Sequence, residues 1–480
     1  MKVLLVAAEA NPFIKSGGLG DVIGALPKAL KEKGVEARVV IPKYKGISYD
    51  YVKNFTFRAW FTVPVGHRQM YCGIFEYYYN GITYYFLDNE YYFGRDGMYG
   101  YYDDAERFAF FDRAVLMFMK VINWEPDIIH CNDWQTGMVP VLYRLEYSKD
   151  PFYWRTKNVY SIHNLLFQGV FDPKILPGLF GYSMEQYANG ALKFDDGVSF
   201  MKGGINYADK VTTVSYTYAQ EVQTSEYGER LDAVLRSRSC AFCGILNGID
   251  YDEYNPYTDN NIYRTFEKDF IADKQYNKMQ LQKDLGLPVN ADTPMISIVS
   301  RLTRQKGIDL VKYMLERLLP WQDVQIVILG TGDRDYEEYF WNLQDRYRNK
   351  VSANIKFDNN LAHKIYASSD MFLMPSKFEP CGLGQLIALR YGTIPIVRET
   401  GGLKDTVNPY NEYTGIGNGF SFRNFNGDEC LHATEYALKM YWNRWRWRGI
   451  VNQAMNSDNS WSKSADSYIG LYNEIVSWPF

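Results

Sequence analysis

The sequence predicts an α/β protein made of two Rossmann-like doubly wound domains facing across a cleft. Three observations carry this expectation. Short apolar runs alternate with helical stretches, the runs fall into two successive series, and a polar, turn-rich stretch separates the series. In the first series Val3–Ala8, Ala37–Pro42, Asp127–Cys131, Asn158–His163 and Lys210–Ser215 read as strands buried on both faces. Helices such as Val22–Glu32 and Ala105–Val121 lie between them, as right-handed crossovers require. An insert at Phe55–Phe93 alternates β-branched and aromatic residues, with Gly81 at a turn, and reads as hairpin. The separator is Gly248–Asn261. The second series comprises Pro294–Ser300, Val324–Gly330, Asn354–Phe357, Asp370–Pro375 and Thr393–Val397, with helices expected at Ile308–Leu319 and Tyr336–Arg348. The domains expected are therefore 1–250 and 251–458, with a helical, aromatic C-terminus beyond.

Composition closes off other classes. The chain has 480 residues and a formal net charge of −4, so no basic field draws it to nucleic acid or anionic lipid. Six cysteines are too sparse for a disulfide scaffold, and a reducing, cytoplasmic setting is expected. Val3–Ala8 is too short for a signal sequence, and no run approaches eighteen apolar residues, so no membrane partner is expected. The 41 tyrosines, 28 phenylalanines and 11 tryptophans are the unusual feature, since aromatic rings stack on flat ligand faces.

Doubly wound domains bind ligands at the carboxyl ends of their strands. Directly after the first strand comes Lys15-Ser16-Gly17-Gly18-Leu19-Gly20-Asp21, then an apolar helix. Glycines at such a turn let backbone amides approach a phosphate, and Lys15 adds a cation. The pattern is neither G-x-G-x-x-G nor a Walker loop. Ser300–Gly307, holding Arg301, Arg304 and Lys306, occupies the matching position of the second series. Fixed cations beside helix ends suit a departing pyrophosphate. Pro375–Gln385 then supplies Glu379, whose carboxylate can accept from sugar hydroxyls, and the amides near Gly382 and Leu383. Cys381 lacks a histidine partner and reads as structural. Thr400-Gly401-Gly402 again opens a helix. His163, at a strand end, points to the cleft edge, and His130 with Asp133-Trp134-Gln135 occupies a similar edge. Only Cys240-x-x-Cys243 has metal-like spacing, without a second pair, so no metal is expected.

Together these motifs resemble the bacterial glycogen synthase and plant starch synthase family, retaining glucosyltransferases of the two-Rossmann GT-B fold. The likeness spans essentially the whole chain: KSGGLGD at 15–21, DDAERFAFF at 103–111, HCNDWQTG at 130–137, SIHNLLFQG at 161–169, GILNGID at 244–250, SRLTRQKG at 300–307, PSKFEPCGLGQL at 375–386 and TGGLKDTV at 400–407. It implies ADP-glucose as donor, a glycogen-type α-glucan as acceptor and no cofactor. Lys15 would bind the donor phosphates with Gly17, Gly18 and Asp21 on the same loop. Arg301 and Lys306 would neutralise the leaving diphosphate, and Glu379 would hold the glucose, with Cys381, Gly382, Leu383, Thr400, Gly401 and Gly402 lining that site. His163, Asn164, Asn247 and Asp133 would lie against the sugar from the first domain. The segment 459–480 would cross back to the first domain.

Two departures matter. Several relatives carry His where this chain has Gln135. The broader superfamily has a second Glu eight residues after the first, where this chain has Ile387, so a front-face displacement assisted by the leaving phosphate is expected. A UDP-glucose-using transferase and a catalytically silent glucan-binding protein remain alternatives. The aromatic cluster Tyr77–Tyr79, Tyr84–Phe86, Tyr91–Phe93 and Tyr99–Tyr102 is expected to offer an acceptor-binding surface, with Tyr91 and Tyr92 among its exposed members.

Overall fold

A computed structural model describes residues 1–267 and 270–478, so the expected C-terminal segment 459–480 ends two residues outside the described ones. The chain divides into two units: Met1–Asn247 with the segment from Trp461, and Gly248–Ser460.

The first unit is built on a nine-stranded sheet of order β12-β11-β7-β6-β1-β2-β5-β4-β3. Its strands are β1 Lys2–Val6, β2 Glu36–Pro42, β3 Thr56–Val65, β4 Arg68–Tyr79, β5 Ile82–Asp88, β6 Ile128–Asn132, β7 Lys157–Ile162, β11 Lys210–Thr213 and β12 Phe242–Gly244; β8 Val170–Phe171, β9 Lys193–Phe194 and β10 Gly197–Ser199 form a small separate sheet. Every pairing in the large sheet is parallel except β3–β4 and β4–β5. The expected hairpin insert is present, and it extends the main sheet because β5 pairs parallel with β2. Its β4–β5 turn is Asn80-Gly81, both at positive φ (47° and 85°), the conformation that a two-residue hairpin matching strand twist needs. Continuous apolar runs form the parallel strands because helices cover both faces; Val3 to Val6 are all fully buried.

The last helix, Trp461–Val476, completes this unit. Tyr468 and Tyr472 are buried in it, and the Tyr472 hydroxyl meets His130 Nδ1 at 2.7 Å while His130 Nε2 meets Ser161 Oγ at 2.6 Å. Lys33–Asp466 and Lys210–Glu474 ion pairs, at 2.8 and 2.9 Å, flank the contact. Burial holds the His130 imidazole neutral, lowering its pKa to about 3, with nearby His163 adding to the effect. An unfolded histidine titrates near 6.5, so the stability contributed here is complete above that pH and drains as pH falls toward 3. At pH 5 the loss is about 2 kcal/mol. Urea unfolding of the first unit should therefore lose roughly 2 kcal/mol more between pH 7 and pH 5 in the wild type than in His130→Gln; equal losses would refute this.

The second unit carries a six-stranded, all-parallel sheet of order β15-β14-β13-β16-β17-β18. The strands are β13 Met295–Val299, β14 Gln325–Leu329, β15 Val351–Asn354, β16 Met371–Met374, β17 Ile394–Arg398 and β18 Phe420–Phe422. Counted from β13 this is the doubly wound order 3-2-1-4-5-6. One strand differs from expectation: β15 is Val351–Asn354, not Asn354–Phe357. Val351 is the residue whose side chain reaches the core, whereas Phe357 is 87% exposed past the strand end. No helix among the described residues is long and apolar enough to cross a membrane.

Candidate functional site

Winding reverses at one point in each sheet, between β1 and β6 in the first unit and between β13 and β16 in the second. Loops leaving the carboxyl ends of such neighbours splay apart and leave a ligand crevice. The sequence motifs occupy these loops: Lys15 follows β1, Asp133 follows β6, Arg301 and Lys306 follow β13, and Glu379 follows β16.

In the first unit the loop after β1 is tied internally. Ala10 and Ile14 exchange backbone hydrogen bonds at 3.0 Å, Asn11 N–H donates to Gly20 O at 2.9 Å, and buried Glu9 accepts from the Ser16 N–H and hydroxyl. Desolvation raises the Glu9 pKa, against the Ser16 and Gly20 hydrogen bonds that lower it. Lys15 Nζ reaches Asp21 Oδ1 at 2.8 Å, and both side chains are partly exposed. The helix Gly18–Glu32 starts here with no side chain capping it. At Gly17 and Gly18 an added Cβ would meet nothing within 4 Å, and Gly17 has an extended φ of −164°. Neither packing nor backbone conformation at Gly17 demands glycine. What the two glycines provide is open backbone at a helix N-terminus, which suits an anion.

Across the switch point, Asp133 stands at φ 58° and ψ −179°, a backbone conformation that is otherwise essentially glycine's own. Its Oδ1 accepts from His163 N–H at 2.7 Å and Asn164 N–H at 3.4 Å, so these three predicted residues form one cluster. Loss of hydration pushes the Asp133 carboxyl up to about 7, partly opposed by those two amides. Asn132 spends both Nδ2 hydrogens on Val6 O and His130 O, at 3.0 and 3.1 Å, so its Oδ1 is the acceptor facing His163 Nε2 at 2.9 Å. The His163 proton therefore sits on Nε2 and Nδ1 is left as an acceptor. Desolvation lowers the His163 pKa to about 4, so the ring is neutral at physiological pH. Asn247 ends the unit, buried, with no partner for Oδ1 among the described residues; the same holds for Gln135 Oε1.

In the second unit Lys306 Nζ and Glu379 Oε2 lie 2.6 Å apart and are largely buried. Ser376 Oγ donates to the same oxygen at 3.0 Å, leaving Glu379 Oε1 without a hydrogen bond among the described residues. The two loops are joined by Lys377 N–H donating to Gln305 O at 2.8 Å. Arg301 is exposed, and its guanidinium makes no ion pair among the described residues. The helices Ile308–Leu318 and Gly384–Arg390 both begin without side-chain caps. Cys381 is buried, and Gly382 and Leu383 lead into the second of these helices. Thr400 stands at the N-cap position of the helix Gly401–Thr406, and its side chain makes no cap hydrogen bond. Gly401 and Gly402 are needed for protein packing, since an added Cβ would stand 1.9 Å from Glu379 O or 2.2 Å from Cys381 O. These two glycines hold the Glu379 loop in place from behind.

One expected site residue is overturned. Tyr92 is fully buried and its hydroxyl donates to Glu106 Oε1 at 2.6 Å, whereas Tyr91 is 56% exposed. The short helix Glu90–Phe93 turns consecutive side chains to different faces, so the two cannot share one surface. Two contributors went unread in the sequence: Asn132, which orients His163, and Ser376, which shares the Glu379 oxygen. A small polar residue at a strand end was the only signal for both. Among the described residues no group of three or more His, Cys, Asp or Glu is placed to hold a metal ion.

Comparison with known proteins agrees. The starch synthase catalytic domain family model matches residues 2–237, and the glycosyl transferases group 1 model matches residues 283–448. Glycogen synthases of Clostridium botulinum (strain Alaska E43 / Type E3) and Clostridium beijerinckii are 65% and 63% identical over 476 and 477 residues, 99% of each chain. The catalytic domain of starch synthase IV from Arabidopsis thaliana, solved with ADP and acarbose, is 36% identical with a TM-score of 0.91, covering 99% of both chains. A sucrose-phosphate synthase from Thermosynechococcus elongatus, 17% identical with a TM-score of 0.61, shares the fold alone. The two matched family models and the full-length relatives make this two-domain α/β protein a glycosyltransferase. The chain belongs to the glycogen synthase and starch synthase family, as its motifs led us to expect.

Proposed function

We propose that the protein transfers glucose from ADP-glucose to the non-reducing 4-hydroxyl of an α-1,4-glucan, with retention of configuration, in the cytoplasm. The observation that carries this reading is the Lys306–Glu379 pair at the second switch point, a cation and a carboxylate held for one sugar-diphosphate. In this scheme Lys15, the open amides at Gly17 and Gly18, Arg301 and Lys306 are the groups that meet diphosphate charge. Glu379 Oε1 accepts from glucose hydroxyls, and the Phe357 ring offers the base a stacking face. His163, Asn164, Asn247 and Asp133 serve the sugar from the first unit.

When the bond from glucose C1 to the phosphate oxygen breaks, negative charge grows on the diphosphate. Fixed cations stabilise that charge more than the ground state, which is what lowers the barrier. Ile387, buried, offers no second carboxylate beside Glu379 to form a covalent glucosyl intermediate. The acceptor oxygen then attacks C1 from the face the phosphate leaves, and its proton passes to the departing ADP. A C1–O bond to the glucan replaces the C1–O bond to phosphate.

Incubation with glycogen and either ADP-glucose or UDP-glucose tests this. ADP should be released, and should still be released with a chelator present, because the charge is met by side chains. No release from ADP-glucose would sink the reading, and faster release from UDP-glucose would sink the donor.

For the acceptor, support comes from an open cavity of about 560 Å³ at the carboxyl ends of β2 and β5, lined by Lys43, Lys45, Tyr49, Asp88 and Glu90. Tyr49, in the lining, is 76% exposed, and Tyr91, adjacent in sequence to the lining residue Glu90, is 56% exposed. Tyr91→Ala should weaken glycogen affinity roughly 3- to 10-fold and leave ADP-glucose affinity unchanged. Unchanged glycogen binding would remove Tyr91 from the acceptor surface.

A further inference from the structure

Four of the twelve rings in the aromatic cluster that reads as an acceptor surface, Tyr77, Tyr79, Tyr84 and Phe86, do something else. Phe13, two residues before Lys15, is buried at the tip of the Ala10–Ile14 excursion. Six rings surround it: Tyr84 at 4.8 Å, Tyr51 and Phe86 at 5.1 Å, Tyr79 at 5.5 Å, Tyr77 at 6.1 Å and Phe55 at 6.5 Å. All six meet Phe13 edge to face, at interplanar angles from 66° to 84°. Four belong to β4 and β5, the hairpin closed by Asn80-Gly81, and two, Tyr51 and Phe55, precede β3.

The same excursion is gripped from its other side. An added Cβ at Gly20 would stand 2.5 Å from Lys15 Cβ, and one at Gly24 would stand 2.6 Å from Asn11 O. Lys15 is therefore held between the first helix and a ring box into which Phe13 is plugged. Edge-to-face contacts fix orientation as well as burying area, so the box determines where the loop backbone lies.

We propose that Phe13 is a positioning residue for donor binding: the hairpin's ring box holds it, and it sets the stance of Lys15 and of the first amides of the helix. This rests on the reading that Lys15 binds the donor diphosphate. A displacement near 1 Å at such a group is enough to change affinity and rate by one or two orders of magnitude. Tyr77, Tyr79 and Tyr84 of the insert are then loop support built far away in sequence from the loop they support.

A control is available in the same sheet. Tyr85 points to the opposite face from Tyr84 and Phe86, and there it meets fully buried Phe118 at 5.4 Å. Phe118→Leu creates a comparable defect away from the loop. The full-length Phe13→Leu, Tyr51→Leu, Phe118→Leu and Lys15→Ala proteins would be compared by calorimetric titration with ADP and by KM for ADP-glucose and for glycogen. Phe13→Leu should weaken ADP binding and raise the ADP-glucose KM about tenfold, with the glycogen KM within about twofold of wild type. Phe118→Leu should leave all three within about twofold. Tyr51→Leu, which trims only a half-buried wall of the box, should weaken ADP about two- to fivefold and covers the case in which Phe13→Leu does not fold. Wild-type ADP affinity in Phe13→Leu, or in Tyr51→Leu if Phe13→Leu does not fold, beside a weakened Lys15→Ala overturns the positioning role alone. Equal weakening in Phe118→Leu also overturns it. A Lys15→Ala protein that binds ADP like wild type overturns the donor reading, and the positioning role with it.

Discussion

Glu379→Gln should lower turnover about 10²- to 10³-fold while leaving the protein folded. The amide is the informative replacement because its oxygen still accepts from Lys306 and Ser376, which meet Glu379 Oε2 at 2.6 and 3.0 Å. It removes the charge and the full acceptor capacity of Oε1, the oxygen left free for sugar hydroxyls. Glu379→Ala would confound the result. It would strand the largely buried Lys306 ammonium, and breaking such a pair costs roughly 3–5 kcal/mol when fully buried and less here, where Lys306 is 15% exposed. Steady-state rates with saturating ADP-glucose and glycogen, read beside a melting curve, decide the matter. Activity above about a tenth of wild type in Glu379→Gln would remove this carboxylate from the chemistry.

The second large effect is expected at the cations. Arg301→Ala and Lys15→Ala should each depress kcat about 10²-fold, with folding intact. Both side chains contribute little to stability. Arg301 is exposed and unpaired among the described residues, and Lys15 pairs only with Asp21 in a partly exposed ion pair, worth at most about 1 kcal/mol. A loss of rate in either therefore reports on substrate. If the cations mainly meet charge that grows as the diphosphate leaves, kcat should fall more than KM rises. A variant with raised KM and normal kcat would show ground-state binding alone, and near-normal activity in both would refute the diphosphate assignment.

The parallel strands were legible because they are buried on both faces and so read as unbroken apolar runs; Val3–Val6 and Ile326–Leu329 are examples. The loops that follow them were legible for a related reason, since strand, glycine, charge and helix succeed one another at each switch point. What misled was apolarity without burial. Phe357 drew the expected strand three residues too far because sequence does not distinguish a ring in the core from one at an exposed edge. Tyr92 failed in the opposite sense: in a short helix the neighbour of an exposed tyrosine turns inward, and four residues carry no readable period. Gly401 and Gly402 read as ligand-facing glycines, and their packing against the Glu379–Cys381 backbone depends on a contact that no local spacing encodes. Asn132 and Ser376 act on His163 and Glu379 through single hydrogen bonds, which leave no pattern along the chain.

The chain leaves the first unit at Asn247, builds the whole of the second, and returns at Trp461 to finish the first. Synthesis proceeds in that same direction, so Gly248–Ser460 emerges from the ribosome before the helix Trp461–Val476 exists. Until then His130 lacks the Tyr472 hydroxyl, and the apolar surface later covered by Tyr468, Leu471 and Ile475 stays open. The first unit is therefore completed only after the second has been made, by a helix that packs on Gly18–Glu32.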